Sequence, residues 1–479
     1  MTIHTSAVTD TPQGFGQAAS TESTAGTRRA TTLVVAGILF VFTVVQRPAR
    51  NFHFDAQAYW SGAKAAWANL FSGLRSHAGL GQFTGGSSAV NPESATGLDS
   101  LLEVPLRLRG ILSYLAYSPA ALVDRFFPGV GQSAVLIENS LIIAVVGAMV
   151  LPAMARALGT RSPVVVYGCA ALVWLVAARF APYPLTDLPA AAAFLCAVLF
   201  ASRRSRWGIA LTGLCAAIAF NIRPAYLLPV AAVTAAVVVV HRFRALWLLP
   251  GAAVALLPQF LLNLMWGFWW VPMPPATWAL ARFQAEFGSY VVRYDTVLSD
   301  LPRQYYCDPH MAAAAQGGFI RTLLTNLPWS AGFLAEKFSA ALAWSPATPY
   351  SDPAATENYS SLLPLSVITV CGALALIALA VRSRRGPLRG YSVTVVAALL
   401  GACATLVTST TETRFALPVI LLGILGCALL LSRGGRAMGR GWWLAAGVGT
   451  VLVVTFAVVG LGHPLQTGSE NPQACAALH

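Results

Sequence analysis

The stretch AVLIENSLIIAVVGAMVLPAMA, residues 134–155, is 22 residues long and carries a single charge, Glu138. A helix of about 20 apolar residues is long enough to cross the hydrocarbon core of a bilayer. Over the whole 479-residue chain, hydrophobic residues make up 56% and charged residues 10%. Because a soluble domain is about 25% charged, this composition argues against a soluble enzyme and against a disordered chain. The sequence predicts a multi-pass membrane protein.

Other apolar runs of similar length are separated from this stretch and from one another by short basic breaks. Together they predict an all-α, polytopic membrane protein with about 11 transmembrane helices. The candidate spans are residues 31–46, 134–155, 162–178, 187–202, 207–222, 225–240, 245–266, 361–381, 391–409, 414–432 and 441–461.

The net charge of +13 is distributed unevenly between the two sides of these spans. One side has 16 of the 31 Lys and Arg residues, and the opposite side has 16 of the 18 acidic residues. Basic loops face the cytoplasm in most membrane proteins, so we expect a plasma-membrane protein with a cytoplasmic N-terminus and an extracytoplasmic C-terminus. No basic groove with interleaved aromatic residues indicates nucleic-acid binding. The cytoplasmic arginines are 28, 29, 156, 161, 203, 204, 206, 242, 244, 382, 384, 385, 389, 433, 436 and 440.

The spans divide the chain into three regions. Residues 1–27 lack apolar periodicity and predict a disordered cytoplasmic tail, residues 28–461 form the membrane domain, and 462–479 form an extracytoplasmic tail. The first apolar segment is interpreted as an anchor rather than a signal peptide, since no small-residue cleavage site follows it. Two external loops are large, at about 47–133 and 267–360. Within the first, Leu106–Val123 mixes apolar and basic residues and predicts an interfacial helix lying along the outer surface.

The sequence NFHFDAQAYW, residues 51–60, directly follows the first span. On a helix, Asp55 and Tyr59 share a face because they are four residues apart. A carboxylate at the membrane surface can have a raised pKa and act as a general base. The alternative is that Asp55 caps a helix starting at Ala56, with Tyr59 and Trp60 as interface anchors.

Four further charged residues lie at the outer ends of apolar helices. Arg223 and Arg414 are costly there unless they are paired or hydrated, and a guanidinium suits phosphate because it donates two parallel hydrogen bonds. For Arg414, the alternative is an ion pair with Glu412 or snorkelling to the interface. Glu138 is expected to cap a helix or to face an external cavity. Asp187 is interpreted as the N-cap of the fourth span.

These features together resemble the GT-C superfamily of integral-membrane glycosyltransferases, whose members use polyprenyl-phosphate-linked sugars. FHFDAQAYW, residues 52–60, looks like the acidic motif of the family's first external loop. The predicted interfacial helix 106–123 looks like the juxtamembrane helices of that loop. TETRFALPVILLGIL, residues 411–425, resembles the late-helix pattern of the protein-mannosyltransferase-like and related branches.

The resemblance implies an inverting sugar transfer at the extracytoplasmic face. The donor is a polyprenyl-phosphate sugar of the mannose or arabinofuranose class, and the acceptor is a hydroxyl of a glycan, lipid, protein or metabolite. Asp55 is the implied base, and Arg223 or Arg414 neutralises the leaving phosphate. The remaining candidate binding residues are His53, Tyr59, Trp60 and Glu138.

The sequence departs from the family at one point. Asp55 stands alone before Ala56, whereas the family motif often has two acids, so no divalent metal or other cofactor is expected. Two other classes of protein stay open. A transporter or flippase would use charges in a central path through the membrane, and a scaffold would bind envelope components without an indispensable Asp. The external Cys307 and Cys475 are free to form a disulfide in this compartment.

Overall fold

A computed structural model describes residues 16–52, 54–75, 109–160, 162–265, 272–274, 277, 319–343, 363–383, 387–408, 413–433 and 447–451. The regular elements in these ranges are all helices, which confirms the predicted all-α class. His53, Glu412, the proposed Cys307–Cys475 pair, most of the last predicted span and the tail 462–479 lie outside the described residues.

The principal helices of the described ranges are numbered in chain order. They are α1 (Gly16–Val44), α2 (Phe54–Arg75), α3 (Ile111–Leu115), α4 (Ser118–Phe126), α5 (Gly131–Ala157), α6 (Pro163–Ala177), α7 (Asp187–Phe200), α8 (Arg206–Ile222), α9 (Leu227–His241), α10 (Leu248–Met265), α11 (Phe319–Thr325), α12 (Leu327–Ala343), α13 (Leu363–Arg382), α14 (Pro387–Thr408) and α15 (Thr413–Arg433).

Five helices of the described residues are long and apolar enough to cross a membrane. Four more apolar helical segments have 10–17 residues. The chain is therefore a membrane protein by helix length and composition, while the total of eleven spans stays a prediction. The five long helices are Gly131–Ala157, Pro224–Leu264, Leu365–Arg382, Leu388–Val407 and Arg414–Ser432.

The longest of these, Pro224–Leu264, is interrupted at Arg242. Arg242 has a φ of 51°, which residues with a Cβ rarely adopt, and a 3₁₀ turn follows before α10 begins. The two halves have different neighbours, because α9 packs on α14 and α10 packs on α8. The division of this region into two helices agrees with the sequence prediction.

Two helical segments differ from the sequence prediction. α1 begins at Gly16 and so includes residues that the sequence assigned to a disordered tail. The single interfacial helix predicted over 106–123 is wrong, because two short helices, α3 and α4, occupy this region. Pro119 lies in the first turn of α4, where its missing N–H costs nothing and favours a new helix start.

Small residues allow the helices of the bundle to approach closely. A Cβ on Gly372 of α13 would collide with the backbone carbonyl of Gly423 on α15. A Cβ on Gly251 of α10 would meet the backbone carbonyl of Ala210 on α8 in the same way. Helix pairs in membranes are stabilised mainly by van der Waals contact, so these glycines fix the distance between neighbouring helices.

The two ends of the bundle differ in charge. At one end, the connections α7–α8 and α9–α10 lie side by side. A ring nitrogen of His241 is 3.4 Å from the carbonyl oxygen of Ala201. These connections contain no acidic residue and expose Arg203, Arg204, Arg206, Arg242 and Arg244. The opposite end, called the site end below, contains Asp55, Asp187, Arg223 and Arg414.

Replacing Gly372 by Val is expected to destabilise the protein by about 1–3 kcal/mol, the usual cost of overfilling a packed core. The added side chain would push α13 away from α15. Gly168→Val is the matched control, since nothing lies within 4 Å of a Cβ at Gly168 in α6. Thermal unfolding of both variants in detergent measures the difference, and equal midpoints would contradict the predicted close packing.

Candidate functional site

An ion pair between Asp55 and Arg414 lies at the centre of the site end. Asp55 is in the first turn of α2, and Arg414 is the second residue of α15. The Nη1 of Arg414 is 2.9 Å from the Oδ2 of Asp55. The side chain of Arg414 is 6% exposed and that of Asp55 is 24% exposed, so the carboxylate is the part that a ligand can reach.

Arg109 faces the other oxygen of the same carboxylate. Its Nη2 is 3.5 Å from the Oδ1 of Asp55, and its guanidinium carbon is 4.5 Å from the ring centroid of Tyr59. Because Arg109 touches both residues, the predicted shared face of Asp55 and Tyr59 is confirmed. At 3.5 Å the ion pair is weak, and stacking on the ring adds to it.

Arg109 is positioned by the way in which α3 docks on the bundle. The first two backbone amides of α3 donate to the side chains of Gln259 (2.8 Å) and Asn221 (3.0 Å), which lie on α10 and α8. These bonds satisfy amides that a helix start leaves without partners. Between them and Arg109 lies Gly110, where a Cβ would collide with the backbone carbonyl of Asn221. The contact fixes Arg109 directly beside α2.

A second ion pair joins Asp187 to Arg223. The Nη1 of Arg223 is 2.6 Å from the Oδ2 of Asp187, and both side chains are almost completely buried. Arg223 leaves α8 in an extended conformation because Pro224 follows it, and this turns its side chain toward α7. Asp187 is the first residue of α7, so the expected N-cap role is replaced by an ion pair across the α7–α8 helix pair.

The two ion pairs meet at Phe415. The guanidinium carbon of Arg223 is 4.3 Å from the centroid of this ring, and that of Arg414 is 5.3 Å from it. Arg223 is also close enough to Asp55 to lower its pKa slightly. The five charged residues therefore form one electrostatic unit.

The carboxyl of Asp55 has a pKa below its usual value. Burial raises this pKa, but the guanidinium groups of Arg109 and Arg414 outweigh the burial and lower it. The raised pKa expected from the sequence is wrong, because the arginines that surround the carboxylate come from distant parts of the chain. In the protein without ligand, Asp55 is ionised and is a weak base.

The described residues of the site include more arginines than aspartates. Three arginines against two aspartates leave an excess of one positive charge (3 − 2 = +1) among Asp55, Arg109, Asp187, Arg223 and Arg414. A buried excess charge is costly unless a counter-ion or ligand compensates for it. The arrangement therefore suits an anionic ligand.

A small apolar cleft lies beside this cluster, between α9, α14 and α15, with a free volume of about 10 Å³, room for about one water molecule. Arg223 and Tyr226 supply its polar groups, and Phe415 forms the wall it shares with the Asp55–Arg414 pair. Its remaining lining consists of Ala225, Pro229, Ala402, Thr405 and Pro418.

Two of the predicted binding residues lie away from the arginines. The ring of Trp60 packs against Phe52, at 5.6 Å between centroids, and lies under the ammonium of Lys64 at 5.0 Å. Glu138 lies in α5 near Tyr117, and its Oε2 is buried with no hydrogen-bond partner among the described residues. The structure gives neither residue a contact with the Asp55–Arg414 pair.

Three residues of the site were missed by sequence reasoning. Arg109 was assigned to an outer surface helix, and no local pattern connects it with a residue 54 positions away. The pairing of Asp187 with Arg223 had a usable signal, since the predicted topology puts both at the same end of adjacent antiparallel helices. Tyr226, in the 3₁₀ turn Pro224–Tyr226 before α9, belongs to no motif of the sequence.

Among the described residues, no group of three or more His, Cys, Asp and Glu side chains is placed to hold a metal ion. Asp55 and Asp187 each contact arginine instead. The chain matches no known family model, no curated protein and no solved structure.

The two arginines that contact Asp55 are expected to differ in their effect on stability. Arg414→Gln should destabilise the protein by about 1–3 kcal/mol, because it leaves a carboxylate without its closest partner. Arg109→Gln should cost less than about 1 kcal/mol, as is typical of longer and more exposed pairs. Chemical unfolding in detergent tests the order, and a larger loss for Arg109→Gln would contradict the assigned geometry.

The lowered pKa of Asp55 also predicts how its contribution to stability depends on pH. A carboxyl whose pKa is lower in the folded state stabilises the fold above its unfolded pKa, about 3.9 for Asp, and loses this effect as the pH falls through the folded value. The difference in thermal midpoint between wild type and Asp55→Asn should therefore be constant from about pH 5 to pH 8 and shrink in more acidic buffer. A difference that changes near neutral pH would contradict a lowered pKa.

Proposed function

We propose that this protein is a membrane glycosyltransferase that moves a sugar from a polyprenyl-phosphate donor to an acceptor hydroxyl, with inversion. The observation that carries the proposal is a partly exposed carboxylate, Asp55, held between two arginines in a site with one excess positive charge. Such a site combines a proton acceptor with cations suited to a leaving phosphate.

In the proposed reaction, the acceptor hydroxyl attacks the anomeric carbon of the sugar as its proton passes to Asp55. The bond between the anomeric carbon and the phosphate oxygen breaks, and the polyprenyl phosphate leaves with the bonding electrons. Arg414 and Arg223 stabilise the negative charge that develops on the phosphate. The donor sugar is of the mannose or arabinofuranose class, as the resemblance to the GT-C superfamily implies.

The low pKa of Asp55 in the free protein gives the donor a second role. A phosphate bound to Arg414 competes with Asp55 for the same guanidinium. Weaker pairing raises the pKa of the carboxyl and makes it a better base. The base would therefore become effective only when the donor is bound, which protects the site from unproductive proton transfer.

The position of the charges favours a transferase over a transporter or flippase. The five charged residues of the site lie at helix ends or in the adjoining turns, and none lies at the centre of a long apolar helix. A transport path would require ionisable groups along the interior of the membrane. We place the site on the extracytoplasmic side of the plasma membrane, because the exposed arginine-rich connections are at the opposite end of the bundle.

The proposal is tested by Asp55→Asn in purified membranes, with transfer of labelled mannose or arabinofuranose from polyprenyl phosphate as the measurement. Transfer should fall by roughly 10²- to 10⁴-fold, the usual contribution of a general base. Donor binding should be retained, because the arginines remain. Asp124→Asn is the control, since Asp124 is also near α2 but pairs with Lys64 and accepts amides of Gly129 and Gly131.

Two results would count against the proposal. Full transfer by a well-expressed Asp55→Asn protein would remove Asp55 from the role of base. Absence of transfer by the wild type with every polyprenyl-phosphate sugar of these two classes would contradict the glycosyltransferase assignment. An equal loss in Asp55→Asn and Asp124→Asn would indicate a general effect on folding.

A further inference from the structure

We propose that the end of the bundle opposite the site end binds the phosphate groups of anionic phospholipids through a patch of arginines and aromatic rings. The inference concerns a second surface of the protein and does not depend on the proposed function. The arginine patch, as it is called below, consists of the exposed residues Arg203, Arg204, Arg206, Trp207, Arg242, Arg244 and Trp247.

The arginine patch lies at a break in a long apolar stretch. Pro224–Leu264 has 41 residues, about twice the roughly 20 that one crossing of the hydrocarbon core needs. One crossing therefore cannot contain both halves of the stretch, and the 3₁₀ turn Arg242–Trp247 that divides it lies at a membrane surface. The start of α8 lies at the same level, because Arg206 of α8 contacts the ring of Trp247.

Arg206 is held between two indole rings. Its guanidinium carbon is 5.9 Å from the ring centroid of Trp207 and 5.8 Å from that of Trp247. A cation is attracted to an aromatic ring at this distance, and the contact uses none of the hydrogen-bond donors of the guanidinium. The N–H groups of Arg206 therefore remain available for the oxygens of a phosphate, which a guanidinium binds with two parallel hydrogen bonds.

The arginines of the patch have no compensating carboxylate. Neither connection contains an acidic residue, and within the described ranges none of the five arginines forms an ion pair. Arg204 and Arg244, one from each connection, both act electrostatically on His241, so like charges are brought together. Anions that bind from outside reduce the resulting repulsion, and the headgroups of anionic lipids supply them at a membrane surface.

The apolar residues around the arginines favour a lipid over a soluble phosphate. Phe243, between Arg242 and Arg244, is 89% exposed, and the neighbouring Leu246 is 63% exposed. A soluble phosphate would contact the arginines alone and leave these side chains in water. A phospholipid matches both parts of the surface, because its phosphate meets the arginines while its glycerol and first acyl carbons cover the apolar side chains.

The test measures lipid binding by full-length protein purified in detergent and depleted of lipid. The probes are dioleoylphosphatidylglycerol, with one negative charge, and dioleoylphosphatidylcholine, which has the same acyl chains and no net charge. Native mass spectrometry during titration counts the bound lipids and gives a Kd for each. Arg47→Gln is the matched control for Arg206→Gln, since Arg47 is also exposed near the end of an apolar helix and forms no ion pair in the described part of the chain.

We expect wild type to bind phosphatidylglycerol more tightly than phosphatidylcholine. Arg206→Gln should raise the Kd of phosphatidylglycerol about 5-fold, the usual contribution of one arginine near an anionic membrane surface. Trp247→Leu retains all five arginines and should raise it about 2- to 5-fold, as for loss of an exposed contact between a cation and a ring. Arg47→Gln should leave this Kd unchanged.

Four results would overturn the inference. Equal Kd values of wild type for the two lipids would show that the patch does not select anionic headgroups. An unchanged Kd in Arg206→Gln would remove Arg206 from the lipid site, and an equal rise in Arg206→Gln and Arg47→Gln would indicate a response to total charge. Displacement of phosphatidylglycerol by equimolar sn-glycerol 3-phosphate would assign the patch to a soluble phosphate. The transfer assay of Asp55→Asn tests the proposed function separately from all four.

Discussion

The ion pair between Asp55 and Arg414 is the interaction on which the site end depends. A guanidinium among apolar helices requires a carboxylate beside it, because removing the charge from water is costly. This pair attaches the start of α2 to the start of α15. Once α2 is held there, Tyr59 is in place to support Arg109, and α3 docks between α2, α8 and α10.

In the second ion pair, Arg223 at the end of α8 is likewise compensated by a carboxylate, that of Asp187 at the start of α7. Both arginines, Arg223 and Arg414, lie beside the ring of Phe415, so the two ion pairs are neighbours. The outcome is a cluster in which Asp55 contacts Arg109 and Arg414, and Asp187 contacts Arg223. In the proposed reaction, a phosphate that binds Arg414 weakens the pairing of this arginine with Asp55 and makes the carboxylate a better base.

The helices were largely predictable from the sequence, because apolar length is a local property. The predicted spans near 134–155, 187–202 and 207–222 correspond to α5, α7 and α8. Arg223 and Arg414 could be identified because an arginine at the outer end of an apolar helix is costly unless it is paired or hydrated. The break between α3 and α4 was missed, although Pro119 is a local signal for it.

The arrangement of the site was much less predictable than its members. Asp55 is 54 residues from Arg109 and 359 from Arg414, and nothing in one sequence shows that distant segments meet. The direction of the pKa shift of Asp55 depends on these unseen neighbours, which is why a local argument from burial gave the opposite sign. By contrast, Asp187 and Arg223 are joined through adjacent helices, so their pairing follows from the predicted topology.

The docking of α3 has a consequence for the order of biosynthesis. The backbone amides of Leu112 and Ile111 donate to Asn221 and Gln259, which follow them by 109 and 148 residues. Arg414 follows Asp55 by 359 residues. A ribosome that makes the chain from its N-terminus releases Asp55 into the translocon long before any of these partners exists. The carboxylate therefore lacks its closest partner, Arg414, through most of translation, and only a chain that has been extended through α15 contains the complete cluster. A prematurely terminated product would lack it even if all its earlier helices had inserted.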